Sequence, residues 1–392
     1  MKWLRRNAWR LLALAVSALL ALGFVPESQG WLLSLLPRIS PILGLLGPVA
    51  ARTWLGWFAL LAIPLLVLAF FKGRVFCWRI CPMGFLAELA GKLNPWSKGA
   101  VRRVPALNTA IFAVIAVSAA LGYPLFIWLD PLCIFNGFFA AWRAPLAAAA
   151  FGTAICFAAV IAISIAVPNV WCHRLCPLGG LQELIRSLAL LIAKRPSATP
   201  DLPRRALIAS LPAALAGFAT QHTFGPNSHK ALRPPGADLD RFNALCARCG
   251  NCMRACPYQL IQPDFGDSGI DGVFTPVLHF RSRNAEQEQY CFQDCVKCTN
   301  VCPTGALRPL TLQGKHSQAI GIARIDHAKC IAWANKEYCA VCDEYCPYKA
   351  IKLTKHGEVM CPTVNEAKCR GCGACESACP ADPIAIVVAP RV

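Results

Sequence analysis

The sequence predicts two unlike parts: an α-helical membrane bundle of four or five transmembrane helices, followed by a cysteine-dense α+β domain. The hydrophobic fraction of 56% is high for a water-soluble globule, and the excess lies in the first half. Residues 1–205 contain 20 basic but only 5 acidic side chains, whereas 17 of the 23 cysteines lie between Cys246 and the C-terminus. These features exclude a simple soluble enzyme, a disordered protein and a basic nucleic-acid binder.

Four charge-free apolar runs predict the membrane helices. They are Leu11–Val25, Thr53–Phe71, Val104–Leu129 and Ala144–Cys172. The last two exceed the roughly 20 residues that cross a bilayer core. The first run follows a basic segment, as in a signal peptide, but an uncleaved helix is favoured because no small-residue cleavage site follows it.

Basic residues predict the orientation of this bundle. The segments 1–10, 72–103 and 173–205 contain 17 Lys and Arg, whereas 26–52 and 130–143 contain three. Because basic loops stay on the cytoplasmic side, the pattern predicts an inner-membrane protein with a cytoplasmic N-terminus.

The first half contains an internal repeat whose two copies are 95 residues apart. Residues 77–89 read CWRICPMGFLAEL and residues 172–184 read CHRLCPLGGLQEL, with eight of thirteen positions identical. The repeat predicts two parallel units whose Cys-x3-Cys-Pro motifs, which we call the elbows, face the same side. The paired thiols are Cys77 with Cys81 and Cys172 with Cys176. All four together are candidate ligands of one [4Fe–4S] cluster. Alternatively, each pair shares a cluster with other ligands, acts as a redox dithiol, or only shapes a helix start.

The join between the halves begins at Arg204-Arg205 and continues as an uncharged stretch over 206–221. It predicts a fifth transmembrane helix with a twin-arginine-like start, which would place the following domain in the periplasm. A surface helix is the alternative. The predicted domains are therefore 1–200, a linker at 201–225, and 226–392.

Sixteen cysteines in the second half form four motifs that each end in Cys-Pro. They are Cys246, Cys249, Cys252 and Cys256; Cys291, Cys295, Cys298 and Cys302; Cys330, Cys339, Cys342 and Cys346; and Cys369, Cys372, Cys375 and Cys379. The first and last motifs have the C-x2-C-x2-C-x3-C-P spacing of bacterial ferredoxins, in which the fourth cysteine ligates a neighbouring cluster.

This spacing predicts four [4Fe–4S] clusters in two bacterial-ferredoxin-like units. Disulfides are disfavoured because sulfurs two and three residues apart cannot all pair without strain, and zinc is disfavoured because its sites rarely have a trailing Cys-Pro. Cys361 is left over. For the exchange of fourth ligands we favour nesting, first motif with fourth and second with third; sequential pairing is the alternative.

These residues resemble two known families. The first half, with its duplicated Cys-x3-Cys-Pro, resembles the NapH and MauN ferredoxin-type membrane proteins. The region from Arg204 onward, with CARCGNC at 246–252 and CIAW at 330–333, resembles the NapG and MauM ferredoxin-type proteins. The chain thus looks like a NapH–NapG fusion. It departs from NapH-like proteins in having no further ferredoxin cysteines between Leu178 and Asn243.

The resemblance implies a quinol dehydrogenase module that feeds a periplasmic reductase, such as nitrate reductase, or a cytochrome c. Candidate proton acceptors for quinol oxidation are Glu88 and Glu183, repeated after each elbow, and Asp130; the alternative for each is a solvated carboxylate. The sequence predicts no c-type haem, since Cys-x-x-Cys-His is absent, and no two-histidine b-type haem in the bundle, since His173 is the only histidine of residues 1–205. It predicts no NAD, since Gly-x-Gly-x-x-Gly is absent. Other functions left open are metal or thiol reduction during maturation of another metalloenzyme, and a docking subunit.

Overall fold

A computed structural model of the chain describes residues 2–22, 32, 34–53, 60–94, 100–141, 149–193, 211, 212, 215, 219, 231–266, 268–280 and 289–391. The chain divides into two compact units, each assembled from several stretches. The first unit comprises Met1–Pro226, Arg241–Arg254 and Pro303–Ala306, and the second comprises Asn227–Asp240, Ala255–Cys302 and Leu307–Val392.

The first unit is α-helical over its described residues. Its helices are α1 (Lys2–Leu22), α2 (Leu35–Arg38), α3 (Pro41–Ala51), α4 (Ala62–Lys72), α5 (Val75–Arg79), α6 (Pro82–Gly91), α7 (Asn108–Ala120), α8 (Pro131–Ala141), α9 (Ala149–Ala166), α10 (Pro177–Ile192) and α11 (Phe242–Leu245). A short π-helical turn, Trp171–Leu175, leads into α10.

Proline sets the starts of α6 and α10. Pro82 and Pro177 occupy the first turn, where the missing N–H is not needed, and each forces the preceding cysteine into an extended conformation. Cys81 and Cys176 are therefore the N-cap residues of equivalent helices, with ψ of 118° and 119°. Each elbow therefore opens a helix.

The predicted transmembrane bundle is wrong, and so is the predicted location in the inner membrane with a periplasmic C-terminal domain. Among the described helices, none combines the length and the apolar character needed to cross a bilayer. Helices α4, α7 and α9 have 11, 13 and 18 residues. At about 1.5 Å per residue all three fall short of a ~30 Å hydrocarbon core.

The apolar runs overestimated helix length because they contain helix breakers. Helix α7 ends at Ala120, and Gly122 then adopts a left-handed conformation (φ 91°) ahead of Pro124. Helix α1 has 21 residues, but its sequence includes four basic residues, Lys2, Arg5, Arg6 and Arg10. The predicted fifth helix at 206–221 lies outside the described residues except for four isolated positions.

The core of the first unit is formed where several helices meet. Fully or almost fully buried side chains include Ile42 of α3, Met83 of α6, Ile115 of α7, Phe135 of α8 and Leu178 of α10. Met83 and Leu178 are equivalent residues of the repeat, so the first turn after each elbow is anchored in the same core. Burial of these side chains holds the two elbow helices in place.

The second unit contains three two-stranded antiparallel sheets. The strands are β1 (Ile261–Pro263), β2 (Pro276–Leu278), β3 (Gly321–Ile325), β4 (Ile351–His356), β5 (Val359–Val364) and β6 (Ile386–Pro390), and the pairs are β1 with β2, β3 with β6, and β4 with β5. The short helix α12 (Asn251–Ala255) precedes β1 and belongs to the first unit except for its last residue. The short helices between the strands are α13 (Lys297–Asn300), α14 (Leu312–Ser317), α15 (Val341–Glu344) and α16 (Ala374–Ala378).

The β3–β6 pair closes one compact region of the second unit. Ala323 of β3 lies opposite Val388 of β6. The third and fourth cysteine motifs lie between these two strands along the chain. The apolar cluster around Cys330 is small and includes Ala332, Ala381 and Ala385 as buried members. The ferredoxin-like domains predicted from the spacing are therefore present as short strands and helical turns around cysteines.

Candidate iron–sulfur sites

Two cavities of the second unit are each lined by four cysteines. Cys330, Cys339, Cys342 and Cys379 line the cavity that we call the Cys330 cavity. Cys346, Cys369, Cys372 and Cys375 line the second, the Cys369 cavity. In each cavity, three cysteines come from one motif and the fourth is the Cys-Pro cysteine of the other motif.

A third group of cysteines lies around Cys298, which we call the Cys298 group. Burial raises the pKa of the Cys298 thiol well above its usual range, and the neighbouring Cys291, Cys256 and Cys295 raise it further. Here too, three members belong to one motif and the fourth, Cys256, is the Cys-Pro cysteine of the preceding motif. The nested exchange that we favoured from the sequence is therefore wrong for these three groups, and sequential pairing holds.

The Cys298 group and the Cys369 cavity are joined through the backbone. The Cys291 N–H donates to the carbonyl of Cys372 at 2.8 Å. Tyr348 is close to the same two cysteines: burial raises the pKa of its hydroxyl to about 12, and Cys372 and Cys291 add to the effect. Cys375 in turn is close to Cys342 of the Cys330 cavity. Within the second unit, the Cys369 cavity is thus next to both the Cys298 group and the Cys330 cavity.

Backbone N–H groups point at some of these sulfurs. The N–H of Ala350 donates to Cys346 Sγ at 3.3 Å, and that of Ala323 donates to Cys369 Sγ at 3.5 Å. Such bonds are typical of iron–sulfur sites, where they stabilise the charge on ligand sulfur. Cys302, also in the second unit, accepts from the N–H of Leu307 at 3.4 Å.

The first three cysteines of the first motif lie in the first unit, beside a thiol that sequence reasoning did not use. Cys133 of α8 is buried, and its pKa is raised by burial first and then by Asp130, Cys249 and Cys246. Asn136, one turn further along α8, donates to the carbonyl of Cys249 at 2.7 Å. No spacing pattern links Cys133 to residues more than 100 positions away, so only the packing reveals this contact.

The four elbow thiols gather at one place in the first unit. The pKa of Cys81 is raised well above its usual range by burial and by the nearby Cys77, Cys172 and Cys176. Of the arrangements left open by the sequence, the geometry favours a single shared site, because each thiol has neighbours from the other elbow.

Equivalent glycines allow each elbow to fold tightly. A Cβ on Gly84 would lie 2.6 Å from the carbonyl oxygen of Cys77, and one on Gly179 would lie 2.9 Å from that of Cys172. Both approaches are closer than a side-chain carbon tolerates. The repeated Gly is thus explained by contact with the carbonyl of the first elbow cysteine.

Cationic and N–H groups surround the elbow thiols. Arg74 donates to the carbonyl of Cys172 at 2.9 Å, and the charges of Arg74 and Arg10 both act to lower the pKa of the Cys172 thiol, although burial raises it to about 12. Among the described residues, Arg10 Nε, Arg74 Nε and Trp171 Nε1 are buried without a hydrogen-bond partner. Buried donors that lack a partner fit an anionic group at this site.

A [4Fe–4S] cluster bound by four thiolates fits these residues. It carries net negative charge, and its iron compensates the thiolate charge that burial disfavours in the free thiols. Within the described ranges, no set of three or more His, Cys, Asp or Glu is arranged to hold a single metal ion. A cubane differs from an ion because each thiolate binds a separate iron, so its ligands stand further apart.

The three candidate proton acceptors have unlike surroundings. Glu88 pairs with Arg10 at 2.6 Å and with Lys92 at 3.3 Å; burial acts to raise its pKa, but these cations outweigh burial and lower it. Glu183 pairs with Arg74 and accepts from Asn108 Nδ2 at 2.7 Å. Asp130 is fully buried, which raises its pKa to about 6.

Asp130 also has a structural role as the cap of α8. Its Oδ1 accepts the N–H groups of Leu132 at 3.0 Å and Cys133 at 3.1 Å, and its Oδ2 accepts from the Ser40 hydroxyl. These are the bonds of a helix N-cap. The proton-accepting role of all three carboxylates stays a prediction.

Both halves match models of iron–sulfur families. Residues 53–103 and 149–196, which contain the two elbows, match a family described as 4Fe-4S binding domain. Residues 245–306 match the 4Fe-4S dicluster domain, and residues 362–385 match a 4Fe-4S binding domain. The chain is therefore an iron–sulfur protein of ferredoxin type.

Curated relatives resemble the cysteine-rich half. The methylamine utilization ferredoxin-type protein MauM of Methylorubrum extorquens is 37% identical over 172 residues, which are 41% of this chain and 74% of that protein. The chain belongs to the MauM and NapG ferredoxin-type family. The ferredoxin-type protein NapG of Escherichia coli is 34% identical over 171 residues, 41% of this chain and 70% of NapG. No solved structure matches the chain significantly.

The predicted resemblance to NapG and MauM is confirmed for this region. The MauM and NapG matches cover less than half of the chain. The resemblance of the first half to NapH and MauN stays a prediction, apart from the membrane bundle that the helices contradict. What the family comparison adds for the first half is iron–sulfur character at both elbows.

Proposed function

We propose that this NapG/MauM-type protein is a multi-cluster electron relay that accepts electrons derived from a quinol and delivers them to a reductase or a cytochrome c. The observation that carries the proposal is the unbroken series of four-cysteine groups in the second unit. Cys291 and Cys372 join two of the groups through a 2.8 Å backbone hydrogen bond. A bound [4Fe–4S] cluster supplies reversible one-electron transfer in each group.

The ligand sets follow from the cavities. We assign one cluster to the Cys330 cavity, one to the Cys369 cavity and one to the Cys298 group. These three sets contain twelve of the sixteen motif cysteines, and the fourth cluster stays a prediction from the motif spacing. A fifth cluster is assigned to the elbow thiols Cys77, Cys81, Cys172 and Cys176, supported by the matching 4Fe-4S family.

The protein residues around these groups bury, orient and stabilise. Seven of the twelve assigned cysteines are buried, which limits the access of water to them. The N–H groups of Ala350 and Ala323 stabilise negative charge on Cys346 and Cys369. In the elbow, Arg10 and Arg74 offset part of the negative charge of four thiolates. These N–H groups and positive charges stabilise the additional negative charge of a reduced cluster, and the effect is strong in a site of low dielectric constant.

The metal content tests the cluster assignment. Protein purified without oxygen should contain about 20 iron atoms and as many acid-labile sulfides, because each cubane holds four of each. Cys342→Ala should remove the cluster of the Cys330 cavity and lower the iron content by about four atoms. Cys361→Ala is the matched control, since this cysteine is also buried and lines neither cavity. Zinc in place of iron, or equal iron loss in both variants, would contradict the assignment.

A reduction experiment tests the electron source. A soluble quinol added without oxygen should bleach the visible absorption of the wild-type protein and generate an electron paramagnetic resonance signal. Dithionite should reduce the clusters independently of the quinol. If dithionite bleaches the fully loaded protein and quinol does not, the quinol part of the proposal is wrong while the relay stands.

A second function is favoured by the gathering of elbow thiols at one site. Without a cluster, the four neighbouring thiols would form two dithiol pairs, and oxidation of one pair to a disulfide would supply two electrons for the reduction of a metal ion or another thiol site. In that case the elbows would contain no iron, and deletion of the protein would yield a partner enzyme that lacks its metal.

A further inference from the structure

The elbow site is built from a repeat, but at one buried position a polar side chain in one copy replaces an apolar one in the other. Gly84 and Gly179 occupy equivalent positions of the two copies, and both cysteines and the Glu of each copy are likewise identical. By contrast, Ala87 of α6 corresponds to Gln182 of α10. Ala87 is fully buried and Gln182 is 2% exposed, so both side chains face the protein interior.

The Gln182 side chain reaches a sulfur of the opposite elbow. Its Nε2 donates to Cys77 Sγ at 3.2 Å, across 105 positions of sequence. Its Oε1 is buried without a hydrogen-bond partner among the described residues. The buried amide is thus paired only through its N–H, and this bond contributes to lowering the pKa of Cys77 against burial.

The bond has a consequence for a cluster held by the elbows. A hydrogen bond to a ligand sulfur stabilises the additional negative charge of the reduced cluster more than that of the oxidised cluster. In a buried site this effect is strengthened by the low dielectric constant. The Ala87 side chain offers no donor, so this side-chain hydrogen bond has no counterpart at the equivalent position of the repeat.

We propose that Gln182 is a positioning residue of the elbow site, whose N–H to Cys77 Sγ raises the reduction potential of the cluster and makes its two elbows electronically unequal. The inference rests on the elbow cluster assigned under the proposed function. It goes beyond that assignment, because the family spacing concerns cysteines and says nothing of the residue before Glu183.

The test compares the reduction potential of the elbow cluster in wild type and in Gln182→Met. Methionine keeps a similar volume but has no N–H. The elbow signal is first identified as the electron paramagnetic resonance signal that disappears in Cys81→Ala/Cys176→Ala. In a redox titration of Gln182→Met, this signal should shift to a more negative midpoint potential, while the other signals and the iron content stay unchanged. Gln313→Met, at an exposed glutamine of the second unit, is the matched control and should shift nothing.

The other possible results each contradict a specific part of the proposal. An unchanged or more positive midpoint potential in Gln182→Met overturns the role of Gln182, while the elbow cluster stands. Retention of all iron and all signals in Cys81→Ala/Cys176→Ala overturns the elbow cluster itself. Gln182→Ala, which reproduces the residue of the first repeat, is the second variant; loss of the elbow iron in both Gln182 variants would show a role in assembly and overturn the proposed role in tuning.

Discussion

The elbow site and the Cys330 cavity each gather four cysteines, but they draw them from different distances along the chain. The elbows bring together two pairs that are separated by 95 residues, through the packing of α6 and α10 into a common core. The Cys330 cavity takes three cysteines from one loop and a fourth from the next motif. The difference teaches that the same ligand set can depend on helix packing in one region and on local turns in another.

Removal of iron should produce the largest difference between the elbow site and the second-unit cavities. The cavities of the second unit are surrounded by two-stranded sheets and a small apolar cluster, so much of their folding free energy should come from metal–thiolate bonds. The elbow helices are anchored in a larger apolar core. Anoxic chelation should abolish amide-exchange protection over 321–390 and leave α7 and α10 protected. Equal loss of protection in both regions would contradict this comparison.

Alanine at the elbow glycines should have the next largest effect. In Gly179→Ala, the new Cβ would overlap with the carbonyl of Cys172, and in Gly84→Ala with that of Cys77. Such overpacking typically costs about 1–3 kcal/mol. Thermal unfolding and iron analysis should show a less stable first unit and loss of elbow iron only. Gly314→Ala is the control, because this helical glycine has its nearest neighbour at 3.3 Å, on the Thr311 side chain. An unchanged iron content would argue that the elbows are looser than the structure shows.

Asp130 should make the stability of the first unit depend on pH. Burial raises its pKa from 3.8 to about 6, so the folded state binds more protons than the unfolded state between these values, and stability falls as the pH rises. From pH 5 to pH 7 the loss should be about 1 kcal/mol. Asp130→Asn keeps an oxygen for the cap bonds but does not titrate, so amide exchange of α8 should lose this pH dependence. A wild-type slope retained in the variant would exclude Asp130 as its source.

Glu88 should have the smallest effect and the opposite sign. Its pairs with Arg10 and Lys92 lower the pKa, so the stabilisation is present above the unfolded value of 4.5 and is lost as the pH falls through the lowered pKa. Glu88→Gln should cost less than about 1 kcal/mol because the pair is partly exposed. The difference from wild type should shrink in high salt. A difference that is independent of salt would show that packing, and not charge, accounts for it.

The contrast between the regions also explains which predictions succeeded. Cys-Pro sets the starts of α6 and α10 because proline restricts its own φ and the residue before it, both of which are local effects. The cysteine spacing predicted ferredoxin-type motifs for the same reason. Membrane helices were predicted wrongly because an apolar run measures burial, whereas helix length is decided by breakers such as Gly122.

By itself, the sequence determined the iron–sulfur motifs, the internal repeat and the start of each elbow helix, since each depends on residues a few positions apart. Only the tertiary structure decided which Cys-Pro cysteine completes which group, because that choice follows from distant contacts such as the pairing of β3 with β6. The same holds for Gln182, whose amide meets Cys77 across 105 positions. Residues so far apart are brought together by burial of the core, and no spacing along the chain records which of them will touch.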